Sequence, residues 1–127
     1  GLAALLGGVG VEVAAAVAPE RAPVLERLPL PRVVIGDLEA LEGYGRAAGA
    51  ELVLGSSHAA ATAERLGVPL VEHGYPSWER LGRHLQPRVG YRGSRDALFE
   101  LANTLLEHHE RHGGLTPYRS VYRPTAA

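Results

Sequence analysis

The sequence holds 127 residues, 46% hydrophobic and 21% charged, with a formal net charge of -1, which is one domain with a buried core in ordinary globular proportions. Cysteine and methionine are absent and all thirteen basic residues are arginine, so these residues supply no disulfide, thiolate nucleophile, zinc finger, cysteine-held iron–sulfur cluster, P-loop lysine or Schiff base. The near-neutral charge, free of long single-sign runs, argues against a nucleic-acid partner, and the absence of any apolar run near ~18 residues argues against a membrane span, so the expected location is the cytoplasm.

Leu2, Leu5 and Leu6 fall on helical spacing before Gly7, Gly8 and Gly10, which predicts the last turns of a helix over residues 1–10, closed by glycines. An opening inside such an element implies that the domain's first strand is missing. Residues 11–17 are an apolar run followed by Pro19, the pattern of a buried parallel strand. Residues 20–30, with Pro23 and a Val24, Leu25, Leu28 face, suit a short helix or an irregular crossover. Val33, Val34 and Ile35 then form a strand, and Asp37 caps a helix through Leu38, Leu41, Ala47 and Ala48. Gly43 and Gly45 weaken that helix by about 1 kcal/mol each relative to alanine.

The unit repeats: a strand over residues 52–54, a stop at Gly55-Ser56-Ser57-His58, and an alanine-rich helix over 59–66 closed by Gly67. Residues 68–71 form a further strand, Gly74-Tyr75-Pro76 breaks it, and a helical turn is expected around Trp78 and Leu81. A long helix from about Ser94 to His112 places Leu98, Phe99, Leu101, Ala102, Leu105 and Leu106 on one face. Asp96 belongs to its first turn, His108, His109, Arg111 and His112 to its last, and Gly113-Gly114 ends it. Pro117, Tyr118, Tyr122 and Pro124 mark residues 113–127 as an extended arm that packs on something, such as another subunit. Alternating strands and helices imply an α/β, Rossmann-like three-layer domain over residues 1–112, with a short parallel sheet covered on both faces. Ligands approach such a sheet at the strand carboxyl ends, here residues 18–21, 36–37, 55–58 and 73–76.

Ser56, Ser57 and His58 are the candidates for binding a cofactor or anion, because a strand-to-helix junction offers free backbone N–H groups. The competing reading, a serine cap with His58 against a neighbouring loop, is preferred. A serine nucleophile is disfavoured: Gly-x-Ser-x-Gly is absent and no acidic partner is indicated. His108, His109 and His112 have helical spacing for a metal, yet their order is not His-Glu-x-x-His and cations suit a helix end, so no metal site is assigned. His73 and His84 are read as structural. Tyr91 and Arg92, held between Gly90 and Gly93, brace a neighbouring subunit or clamp an anion, with bracing preferred. The glycines at 7, 8 and 10 precede a strand, whereas a dinucleotide fingerprint follows one. No catalytic residue is assigned.

Taken in order, Val34-Ile35-Gly36-Asp37-Leu38-Glu39, Gly55-Ser56-Ser57-His58, Ala63-Glu64-Arg65-Leu66-Gly67-Val68-Pro69-Leu70, Gly74-Tyr75-Pro76, Gly90-Tyr91-Arg92-Gly93 and Leu98-Phe99-Glu100-Leu101-Ala102-Asn103 resemble the nitrogenase component 1 proteins. The resemblance runs to about Leu106, and is greatest to the β-like subunit of the scaffold on which the iron–molybdenum cofactor matures. It implies the C-terminal one of three Rossmann-like domains, entered inside its first helix. It also implies an α-like, E-type partner, an α2β2-like heterotetramer, an interface iron–sulfur cluster on cysteines that lie elsewhere, and a cofactor precursor held mainly by the partner. Ser57-His58 favours the assembly subunit over the β subunit of nitrogenase, where Ser-Tyr-Gly is expected. The alternatives are a catalytic nitrogenase-type β subunit and a free-standing anion- or nucleotide-binding Rossmann domain.

Overall fold

The structure is a computed structural model that describes residues 1–78 and 80–113. In chain order it contains α1 (Leu2–Gly8), β1 (Val17–Ala18), β2 (Val34–Ile35), α2 (Leu38–Ala48), β3 (Val53–Gly55), α3 (Ala60–Leu66), β4 (Leu70–Glu72) and α4 (Gly90–Arg111). Short 3-10 turns lie at Pro23–Arg27, Ser57–Ala59 and Arg83–Leu85. The arm expected over residues 113–127, with Pro117, Tyr118, Tyr122 and Pro124, lies outside the described residues from 114 onward.

The strands pair in parallel, as the alternation of strand and helix requires. Val17 stands opposite Val34 and Ala18 opposite Ile35. Val53 stands opposite Leu70, Leu54 opposite Val71 and Gly55 opposite Glu72. In place of one sheet, the described strands form two separate two-stranded sheets, β1 with β2 and β3 with β4. The strand expected over residues 11–17 shrinks correspondingly. β2 is two residues long and offers register partners to Val17 and Ala18 alone, so residues 11–16 have no ladder to join.

Local chemistry explains the helix ends. Asp37 has extended backbone geometry, and its Oδ1 accepts the Ala40 N–H at 2.9 Å, which satisfies one orphan donor of α2. Gly49 and Gly67 close α2 and α3 in the left-handed region, with φ of 65° and 70°. The long helix begins a turn earlier than Ser94, at Gly90, so Tyr91 and Arg92 lie in its first turn and Asp96 beyond it. The reason is Gly93: a Cβ there would stand 2.6 Å from the Arg88 carbonyl carbon, so the glycine admits the preceding backbone against the helix. The turn expected around Trp78 and Leu81 appears later, at Arg83–Leu85, because Gly82 takes a left-handed φ of 75° and Leu81 faces solvent.

Two small cores hold the layers. Leu6, Val71 and Leu101 join α1, β4 and α4, with Leu2, Val11, Val13, Leu52 and Leu54 packed around them. Val53, Ala59 and Ala63, surrounded by Leu41, Leu66, Val68 and Leu70, fasten α2 and α3 to the same β3–β4 sheet. Gly45 serves this second core, since Leu66 Cδ1 lies 3.1 Å from where its Cβ would be. Glu42 adds a clamp between α2 and α3, with Arg65 Nε at 2.6 Å and Arg46 Nη2 at 3.0 Å. Hydrogen bonds from Arg65 and then Arg46 hold the Glu42 carboxyl below the usual carboxylate range. Both arginines are largely solvated, so the clamp sets alignment more than stability.

The helix glycines therefore separate by environment. Gly43 has open space where a Cβ would go, so Gly43→Ala should stabilise the fold by about 1 kcal/mol. Gly93→Ala should destabilise it by about 1–3 kcal/mol through the clash with Arg88. Urea midpoints of the two variants are expected to move in opposite directions.

Candidate functional site

The carboxyl end of β4 carries a charge into the interior. Glu72 is 8% exposed, and a buried carboxylate is tolerated only when hydrogen-bonded or paired. The turn after β3 supplies the first partner: Ser57 Oγ donates to Glu72 Oε1 at 2.8 Å. Ser77 Oγ donates to Glu72 Oε2 at 2.7 Å from the loop after β4. Ser57 is engaged further, because its Oγ accepts the Trp78 N–H at 2.9 Å and its N–H donates to the Pro76 carbonyl at 2.9 Å. The buried Arg83 completes the cluster. One arm of its guanidinium donates to the Glu72 carbonyl, and the other reaches Glu100 Oε1 on α4 at 2.5 Å. Arg88 and Arg80 approach the same carboxylate at 3.5 and 3.7 Å.

The Ser77 hydroxyl is the main influence holding the Glu72 carboxyl below its ordinary value of 4.5; Ser57 and the charges of Arg83 and Arg80 add to it against burial. His73, the next residue, is held below its ordinary 6.5, first by burial and then by Arg88 and Arg83, with Glu100 pulling the other way. Its backbone N–H continues the ladder to the Gly55 carbonyl at 2.8 Å.

The candidates named from sequence are divided by this arrangement. Ser57 turns inward, whereas Ser56 and His58 line a cleft of about 1470 Å³ between the two sheets. Ser56 stands at the N-cap of the 3-10 turn without a side-chain cap bond, so neither serine caps in the expected way. His58 does meet a neighbouring loop: its ring lies edge-on to Trp78 with centroids 4.8 Å apart. Ser57 does have an acidic partner, contrary to the sequence reading, which missed Glu72. Its hydroxyl is nevertheless buried and engaged on both sides, which makes it a structural link. Of the predicted rim, Pro19, Gly36, Asp37, Gly55, Ser56 and His58 line the cleft, while His73 lies outside it. Among the described residues the cleft's acidic lining residues are Glu12, Asp37 and Glu51, and no arginine lines it.

Tyr91 and Arg92 sit apart from the cleft, at the start of α4, with Tyr91 98% exposed. Arg92 makes no ion pair with another described residue. The histidines at the end of α4 stack on each other: the rings of His108 and His112 are 4.1 Å apart, and His112 Nδ1 lies 2.8 Å from the His108 carbonyl. Among the described residues no group of three His, Cys, Asp or Glu side chains is placed to hold a metal ion, and no helix is long and apolar enough to cross a membrane. Sequence reasoning missed Glu72, Ser77, Arg83 and Glu100. The available signal was a carboxylate ending the apolar run Val68-Pro69-Leu70-Val71.

Comparison with known proteins adds the wider context. The sequence model of the family described as nitrogenase component 1 type oxidoreductase matches residues 1–106. A protein of Klebsiella pneumoniae named nitrogenase iron-molybdenum cofactor biosynthesis protein NifN is 45% identical over 114 residues, 90% of this chain and 24% of its own length. The protein of the same name from Bradyrhizobium diazoefficiens is 38% identical over 118 residues, 93% of this chain and 25% of its own. The chain thus spans about a quarter of the length of these relatives. In shape it is similar to a solved chain titled "Nitrogenase Cp1 at pH 6.5", with a TM-score of 0.78 and 22% identity, over 94% of this chain and 29% of that one. That likeness establishes an α/β fold shared with nitrogenase.

Both pKa shifts give acid sensitivity of one sign. The folded Glu72 carboxyl resists protonation more than the unfolded one, so its contribution is present above 4.5 and lost as pH falls through the depressed folded value. The folded His73 also resists protonation, so the unfolded chain takes up that proton first and stability begins to fall below 6.5. Unfolding free energy measured in urea should be level above pH 7 and fall in two stages. His73→Gln should remove the upper stage, and retention of that stage would contradict the assignment. At neutral pH, Ser57→Ala should cost about 1–3 kcal/mol in the same assay, because it leaves a Glu72 oxygen and the Trp78 N–H without their partner.

Proposed function

The chain belongs to the nitrogenase component 1 type oxidoreductase family, and we propose that it forms part of the β-like subunit of an iron–molybdenum cofactor assembly scaffold serving nitrogen fixation. Residues 1–112 form the Rossmann-like unit. The observation that carries this reading is the 38–45% identity to proteins named for iron–molybdenum cofactor biosynthesis, sustained over nine-tenths of the chain. A contribution of packing and shape fits the residues. The polar cluster around Glu72 stiffens the strand ends and α4 without presenting a reactive group.

The scaffold's partner is the α-like, E-type subunit, in a heterotetramer located in the cytoplasm. An iron–sulfur cluster and the cofactor precursor belong to that complex. The residues of this chain do not fit a thiolate-held cluster, because they include no cysteine. Ser56, Ser57 and His58 therefore act as structure around the strand ends. Tyr91 and Arg92 brace the partner subunit: an exposed aromatic and a fixed cation in the first turn of a long helix are the residue types that anchor interfaces.

Co-expression of the full-length parent with its α-like partner should yield a complex that co-purifies. Changing Tyr91 and Arg92 together to alanine should weaken that complex roughly tenfold, as loss of an anchoring pair does, and leave the parent's unfolding midpoint unchanged. Failure of the two chains to associate would remove the scaffold reading. Association unaffected by the double change would remove these two residues from the interface.

A further inference from the structure

The outer side of α4 carries a pattern that the core does not use. Leu101 marks the inner side of the helix, and residues three or four positions apart lie above one another on a helix surface. Arg92, Arg95, Phe99, Ala102, Leu106 and Glu110 therefore form one stripe, turned about half-way round the helix from Leu101. Phe99 is 63% exposed and Leu106 57%, with Ala102 exposed between them. Only Leu106 of this stripe also borders the cleft, so Phe99 and Ala102 belong neither to the core nor to the cleft wall. Alternating steps of three and four residues, as from Arg92 to Leu106, are the spacing of a seam along which a second helix packs.

The two ends of the stripe differ in charge. Arg92 lies near the amino end of α4 and Glu110 near the carboxyl end. Their neighbours are paired locally, Arg95 with Asp96 at 2.8 Å and Arg111 with Glu107 at 3.9 Å. Arg92 and Glu110 themselves make no ion pair with another described residue. Size is distributed with the same symmetry, because the bulky Phe99 and the small Ala102 flank the midpoint between Glu100 and Leu101. Laid antiparallel on an identical helix about that midpoint, Phe99 of one meets Ala102 of the other. The apolar stem of Arg95 then covers Leu106, and Arg92 comes beside Glu110. Each contact occurs twice, as a two-fold contact requires. A parallel arrangement sets Arg92 against Arg92 and Glu110 against Glu110, and aligns the two helix dipoles.

We propose that the occupant of this face is α4 of a second copy of the chain, packed antiparallel in a two-fold contact centred between Glu100 and Leu101. The inference goes beyond the scaffold reading and does not rest on it. The contact joins identical chains and is measured with no α-like subunit present. Arg92 also belongs to the pair proposed to brace that subunit, so Glu110 and Phe99, which lie outside that pair, carry the test.

Sedimentation velocity of the 127-residue chain over a concentration series at low ionic strength should show a reversible monomer–dimer equilibrium. Glu110→Arg and Arg92→Glu each bring like charges together and should raise the dimer dissociation constant about tenfold or more. Phe99→Ala should do the same by removing the central anchor. All three side chains are exposed, so helix content by circular dichroism should stay unchanged. An equimolar mixture of the Glu110→Arg and Arg92→Glu chains should associate as tightly as the unaltered chain, since every charge then faces its opposite. A chain that stays monomeric at every concentration, as it would if residues 114–127 covered this face, overturns the proposal. So does association indifferent to Glu110→Arg, which places the contact elsewhere, or a mixture that binds no more tightly than its components. Should the chain fail to fold alone, the full-length parent, free of the α-like subunit, takes the same substitutions and the same readout.

Discussion

A carboxylate that leaves water has to be answered, and the answer given to Glu72 organises one end of this molecule. Two serines from separate loops donate to its oxygens, while its own carbonyl receives the buried guanidinium of Arg83. Through Arg83 the demand passes to Glu100 and so to α4. A strand end, two loops and the long helix are thereby tied to one charge. A buried pair of this kind adds little net stability compared with apolar packing, but removing one partner leaves the other exposed to a low dielectric. Its effect is to fix arrangement. The loop after β4 contains few apolar anchors, and Tyr75, Trp78, Leu81 and Leu85 are all largely exposed. Polar bonds do there what a core does elsewhere.

The second constraint is pairing. Parallel strands are bound to neighbours reached only through crossovers, so each strand's length depends on what lies beside it. Residues 11–16 illustrate this. Their side chains are suited to a buried strand, yet they form no ladder where β2 offers only two residues. The apolar face of α4 tells the same story, with Leu101 buried but Leu105 and Leu106 looking into the cleft.

These two constraints separate what was legible in the sequence from what was not. Elements set by local chemistry could be read directly: the Asp37 cap, the glycine that closes α3 at 67, and the alternation of short β-branched runs with helices. Family membership was legible for a related reason, because turn residues at fixed offsets survive as a pattern. Elements set by partners distant in the chain were not. Ser57 and Glu72 are fifteen residues apart and Arg83 and Glu100 seventeen, and no periodicity links a serine in a turn to a carboxylate at the next strand's end. Gly93 shows the same limit, since its place before Ser94 does not reveal that the Arg88 backbone is what lies against it. The candidate site was thus half legible: Ser57 was singled out, but with the wrong chemistry beside it.

Trp78 is the only tryptophan in the chain. Its ring is two-thirds exposed and rests edge-on against His58, and its backbone hangs from the Ser57 hydroxyl. Intrinsic fluorescence of this protein is accordingly a local gauge. The emission reports how the loop after β4 lies against the turn after β3, and it is nearly blind to the aliphatic cores around Leu101 and Val53.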